Sequence, residues 1–125
     1  MPLSPDPDAA LEQVRAIALE LPETSERVSH GQPTFFVAGK MFAQFRHGHH
    51  GVEETIVAVK TSEPEEGPML IEAAPELYSR VAYFGVNWVG LAVGHGDTDW
   101  DHVGDRIARS WELAAPAKLL ELGGR

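Results

Sequence analysis

The stretch Phe35-Phe36-Val37-Ala38-Gly39-Lys40-Met41-Phe42-Ala43-Gln44-Phe45 decides how the chain is read. Two short runs rich in aromatic and apolar residues flank Ala38-Gly39-Lys40, and the glycine can adopt the positive φ that a tight turn between antiparallel strands needs. The hairpin predicts a sheet. Toward the C-terminus, His47-Gly48-His49-His50-Gly51 reads as a loop and Thr55-Ile56-Val57-Ala58-Val59-Lys60-Thr61 as the next strand, giving a three-stranded meander. Residues 81–84 and 86–93 are two further strand candidates, broken at Gly85.

Helical signals frame these strands. Ser4-Pro5-Asp6-Pro7-Asp8 offers capping side chains and prolines suited to a first turn, followed by Leu11, Val14, Ala18 and Leu21 on one stripe that ends at Pro22. Glu63-Pro64-Glu65-Glu66 opens a second helix with Met69, Leu70 and Ala73 on its apolar side, ended or kinked at Pro75. Thr98-Asp99-Trp100-Asp101 matches a capping box with Asp in its final place, and Val103, Ile107, Trp111 and Ala114 continue at helical spacing to Pro116. The order helix, strands, helix, strands, helix, with short connections between strands, predicts an α+β fold. Its antiparallel sheet has about five strands, with the N- and C-terminal helices packed mainly on one face, in a single domain over residues 1–125.

Composition narrows the function classes. A chain that is 43% hydrophobic and 23% charged is too apolar for intrinsic disorder. The absence of cysteine removes disulfide scaffolds, iron–sulfur clusters, cysteine-ligated zinc and thiol nucleophiles, and fits a reducing cytoplasm. The first residues are acidic and proline-rich where a signal peptide would be basic and then apolar, so a cytoplasmic protein with no membrane partner is expected. The formal charge of −9 weighs against strong non-specific nucleic-acid binding. The charge is unevenly placed, however. Residues 27–52 hold Arg27, Lys40 and Arg46 and no acid, residues 77–96 hold Arg80 and no acid, and His30, His47, His49, His50 and His95 fall in those two segments.

Period-two counting divides the strands into two faces. On the hairpin Phe36, Met41, Ala43 and Phe45 share one side, and Phe35, Val37, Phe42, Gln44 and Arg46 the other. On the last strand Val89, Leu91 and Val93 form a uniform apolar set, with Trp88 pointing the other way beside Gly90 and Ala92. If helices cover the uniform set, the opposite face displays Phe35, Phe42 and Trp88 near Arg46 and Lys60, a combination suited to base stacking, a flat ligand or a protein partner. The other reading makes these aromatics ordinary core.

Little in the sequence argues for an enzyme. His47-x-His49-His50 could in principle ligate zinc, nickel or copper, but three histidines within four residues close a tetrahedron poorly, so a solvated loop and no metal are expected. His30, isolated at a strand end, reads as a structural hydrogen-bonding residue. No Gly-x-Ser-x-Gly elbow, phosphate loop or dinucleotide fingerprint occurs, and Glu65-Glu66 and Asp99/Asp101 are carboxylates at helix starts, where capping and the helix dipole account for them. No cofactor is expected.

The ordered set His30-Gly-x-Pro-Thr-Phe35, Gly39-Lys40-x-Phe42-Ala43, Val59-Lys60, Trp88-Val-Gly, and Trp100 ahead of Ser110-Trp-x-Leu-x-Ala-Pro116 resembles the MmcQ/YjbR-like family of small bacterial proteins, from the first helix to Lys118. The resemblance implies a fold with an antiparallel sheet, compared with frataxin-like and double-wing arrangements, and a DNA-binding role; by position it points to His30, Lys40, Lys60 and Trp88. This chain departs from the family in its acidity and its histidine-rich loop. The expectation is therefore a non-enzymatic binding domain that takes DNA weakly and salt-sensitively through its strand face and hairpin, at His30, Phe35, Lys40, Phe42, Arg46, Lys60 and Trp88. The alternatives are a protein-interaction module or homodimer that buries Phe35, Phe42 and Trp88, and a small-ligand pocket around His30, Lys60 and Trp88.

Overall fold

The structure, a computed structural model, describes residues 7–47, 55–81, 84–94 and 96–123. Among these, six strands form one sheet: β1 (Thr24–Ser29), β2 (Gln32–Val37), β3 (Lys40–His47), β4 (Thr55–Lys60), β5 (Tyr78–Ser79) and β6 (Trp88–Ala92), in the spatial order β1-β2-β3-β4-β6-β5. Every pairing is antiparallel, as the two-residue turns require for β1-β2 and β2-β3, while β4 and β6 pair across the intervening α2 and β5. The helices are α1 (Pro7–Leu19), α2 (Glu66–Ala73), α3 (Trp100–Ala114) and α4 (Ala117–Gly123). The α+β class and the antiparallel sheet agree with the sequence reading, and the sheet gains one strand. β1, Thr-Ser-Glu-Arg-Val-Ser, is a polar edge strand without the apolar alternation that marks a half-buried one. The strand expected at residues 81–84 is not found at Val81 or Phe84; β5 lies upstream, and Ala82 and Tyr83 are outside the described residues.

Both hairpin turns have two central residues at positive φ, His30 (53°) and Gly31 (79°), then Ala38 (50°) and Gly39 (81°). That geometry matches the right-handed twist of the flanking strands, and glycine takes the second position of each turn at no steric cost.

The core lies between one sheet face and α1 and α3. Phe35, Ala43, Val59 and Val89 make one cross-strand row, and Phe45, Val57, Leu91 and Tyr78 the next, all buried against Val14, Val103, Ile107 and Trp111. Fully burying a large apolar side chain contributes about 1.5–3 kcal/mol, so these rows and the α3 stripe supply most of the driving force. A β-bulge corrects the face assignment. Phe35 pairs with Ala43 but Phe36 with Met41, so Phe42 is the extra residue on β3, and both Phe42 and Ala43 enter the core. Strict alternation across the hairpin puts Phe35 opposite Ala43; the bulge puts them together, and Phe35 and Phe42 are fully buried rather than displayed.

Helix ends and faces differ from expectation in two details. The α3 N-cap is Asp99, whose carboxylate accepts from the Asp101 and His102 amides, not Thr98. On α2, Leu70 and Ile71 pack on the core while Met69 stands 65% exposed. Ser110, fully buried on α3, donates to the Phe42 carbonyl (2.5 Å) and accepts from the Lys60 amide (2.8 Å), which fastens the helix to the bulge and to β4. No helix among the described residues is long and apolar enough to cross a membrane.

Candidate functional site

The sheet face turned away from α1 and α3 carries a different chemistry. Register places Arg27, Thr34, Gln44, Ala58, Gly90 and Ser79 in one row, with Arg46, Ile56 and Ala92 on one side of it and Lys60 and Trp88 on the other. No strand residue on this face is acidic. Glu26, the one acid within the strands, points to the helix side, where its carboxylate accepts from Arg15 at 2.7 and 2.8 Å.

Each cation of this face lies against an aromatic ring. The Arg27 guanidinium is 4.1 Å from the Phe36 ring centroid, that of Arg46 is 4.5 Å from Phe84, and the Lys60 ammonium is 4.8 Å from Trp88. Phe84 meets Trp88 edge to face at 4.8 Å, so Arg46, Phe84, Trp88 and Lys60 form one continuous ladder, two touching rings with a cation at each end. Arg46 is only 5% exposed, and burial lowers its pKa, but a guanidinium remains charged. Its Nε donates to Gln44 (2.8 Å), whose own amide donates to the Thr34 hydroxyl (2.9 Å) and the Ser29 carbonyl (3.3 Å). This chain of bonds fixes the ladder's inner end. Gly90 lies close beside it: a Cβ there would sit 2.9 Å from Ile56 Cδ1 and 3.0 Å from Ser79 Oγ, so a larger residue would have to push both side chains aside.

Of the residues expected to form a site, the structure brings together Arg46, Lys60 and Trp88, through Phe84. Phe35 and Phe42 belong to the core, so of the three aromatics expected on the sheet face only Trp88 is there, joined by Phe36 and Phe84. His30 and Lys40 are exposed at opposite ends of β2, separated by a six-residue strand, or about 20 Å, so neither a single patch nor a pocket joining His30 to Lys60 and Trp88 forms. His47 Nδ1 lies 2.7 Å from the Thr55 hydroxyl, while His49 and His50 fall outside the described residues. Among the described residues, no cluster of three His, Asp or Glu is placed to hold a metal ion. Sequence reasoning missed Arg27, Phe36 and Phe84 as members of this face. Phe84 was hidden by its assignment to a strand, although a large ring beside Gly85 in an acid-free segment was a usable signal.

Next to the ladder, a cleft of about 590 Å³ opens between α2 and the segment leading into β6, with Phe84 and Trp88 among its walls. The fold and this face can now be set beside known proteins. The YjbR family model matches residues 19–113, most of the chain. The chain belongs to the YjbR family. The matched YjbR region runs from the end of α1 almost to the end of α3 and so includes the whole sheet and every residue of the ladder. Among solved structures, the crystal structure of the Deinococcus radiodurans protein DR2400, with a DUF419 domain, is similar at 20% identity and a TM-score of 0.67, covering 82% of this chain and 76% of that one. At that identity the similarity carries the YjbR fold and nothing finer. No curated protein matches the chain.

Proposed function

We propose that this YjbR-family chain is a non-enzymatic, cytoplasmic binding domain that takes DNA on the sheet face bearing Arg27, Arg46, Lys60, Phe84 and Trp88. The observation that carries the reading is that every strand cation of a face whose strand residues include no acid is seated on a ring. Stacked bases need an aromatic platform and phosphates need a nearby cation, and Trp88 with Phe84 and the Lys60 ammonium offers both within one surface, while the buried Arg46 props Phe84 from behind. Single-stranded DNA is the better fit, since unstacked bases can lie on Trp88 and Phe84 while a duplex presents only phosphates and groove edges. With Arg46 buried, Arg27 and Lys60 are the cations of the face that can meet phosphates, and the chain charge is −9, so few phosphates are neutralised and affinity is weak and salt-sensitive.

Fluorescence anisotropy with labelled single-stranded and duplex oligonucleotides at low ionic strength tests this. Single strands should bind more tightly than duplex. Trp88→Ala should weaken binding about tenfold or more, the scale of one base–aromatic stack, and Lys60→Ala should lower the slope of log K against log salt by about 1. Equal binding by wild type and Trp88→Ala would remove the proposal.

A further inference from the structure

The cleft beside the ladder has its own chemistry. Its walls are largely apolar, built by Ile71, Val81, Phe84 and Trp88, and its volume of about 590 Å³ falls in the range of small-molecule sites. Two charged residues of opposite sign also line it, Glu72 from α2 and Arg80 from the segment after β5. They do not neutralise each other. Neither side chain makes an ion pair or hydrogen bond with any described residue, whereas the other ion pairs of the region are closed locally, as Glu66 is with Arg106 at 3.2 Å.

We infer that the cleft binds a small zwitterion with an aromatic body, the chemistry of a free aromatic α-amino acid. The carboxylate faces Arg80, the ammonium faces Glu72, and the ring lies against Phe84 and Trp88. A simple anion would meet Glu72 and the negative charge of the chain, a simple cation would meet Arg80, and an uncharged apolar ligand would leave both charges unused. A ligand with both signs matches the lining better than any of these. This site shares two rings with the face proposed for DNA but does not require DNA as partner. Since both charged groups are exposed, each contributes modestly, and affinity lies in the millimolar range or just below it.

Amide and indole NMR of the full chain provides the test, with L-phenylalanine, phenethylamine (no carboxylate) and 3-phenylpropionate (no ammonium) as probes. L-phenylalanine should move the Trp88 indole N–H and the Ile71 and Phe84 amides, leave the buried Trp111 indole unmoved, and bind at least threefold more tightly than either analogue. Arg80→Ala should weaken L-phenylalanine at least threefold while leaving phenethylamine unchanged or stronger; Glu72→Gln should do the same with 3-phenylpropionate as the insensitive probe. Equal binding of all three probes, no response at Trp88, or variants that bind L-phenylalanine as wild type does would each overturn the inference. Oligonucleotide binding without a response to L-phenylalanine overturns the cleft alone, and the converse overturns the DNA reading alone.

Discussion

Ser110 shows how much one small polar side chain can hold. Its hydroxyl satisfies the Phe42 carbonyl that the bulge frees and the Lys60 amide at the end of β4, and it is fully buried while doing so. Ser110→Ala leaves a buried acceptor and a buried donor unpaired, so a loss of about 2–3 kcal/mol is expected in urea unfolding, with the midpoint shifted and the slope unchanged. Ala38 is strained in the opposite sense. A left-handed φ of 50° at a residue with a Cβ is unfavourable, and Ala38→Asn, a residue that tolerates this conformation, should raise stability by about 0.5–1 kcal/mol in the same assay. The sequence made the turn legible, since Gly39 was identified as its pivot. It did not make the bulge legible: an extra residue in one strand leaves no compositional mark, yet it changes which side chains share a face, and that alone moved Phe35 and Phe42 from the display face to the core.

Elements with strong periodicity were legible almost to the residue. The α3 stripe of Val103, Ile107, Trp111 and Ala114 is the buried stripe observed, because four apolar residues at helical spacing can be buried together in only one way. β1 was not legible, because an edge strand protects itself with the polar and charged residues that also mark loops. What holds β1 to α1 is the bidentate pair between Arg15 and Glu26, in which the Arg15 hydrogen bonds lower the Glu26 pKa despite partial burial. A carboxylate whose pKa is depressed on folding contributes stability above its unfolded value and loses it as the pH falls through its folded value. Glu26→Gln should therefore cost about 1 kcal/mol at neutral pH, with the gap to wild type closing as acid protonates Glu26 in wild type. Thermal melts of both proteins from neutral to acidic pH measure that gap; a constant gap would show that the pair adds nothing beyond packing.

At the scale of the molecule, charge is sorted by face. Nine more acids than bases would by themselves argue against a polyanionic partner, but the strand residues of the sheet face turned away from α1 and α3 include Arg27, Arg46 and Lys60 and no acid. The sorting was visible in the sequence as acid-free segments. The pairing of each cation with a ring was not, because it depends on Phe84, whose position is set by a connection between strands rather than by strand alternation. The most direct test is an NMR titration of the indole N–H signals with a single-stranded oligonucleotide at low salt. The Trp88 signal should shift in a saturable, salt-sensitive manner, while that of Trp111, which donates to the Pro22 carbonyl at 3.0 Å within the core, stays fixed. An unmoved Trp88 signal at oligonucleotide concentrations that saturate any other part of the chain would contradict the account.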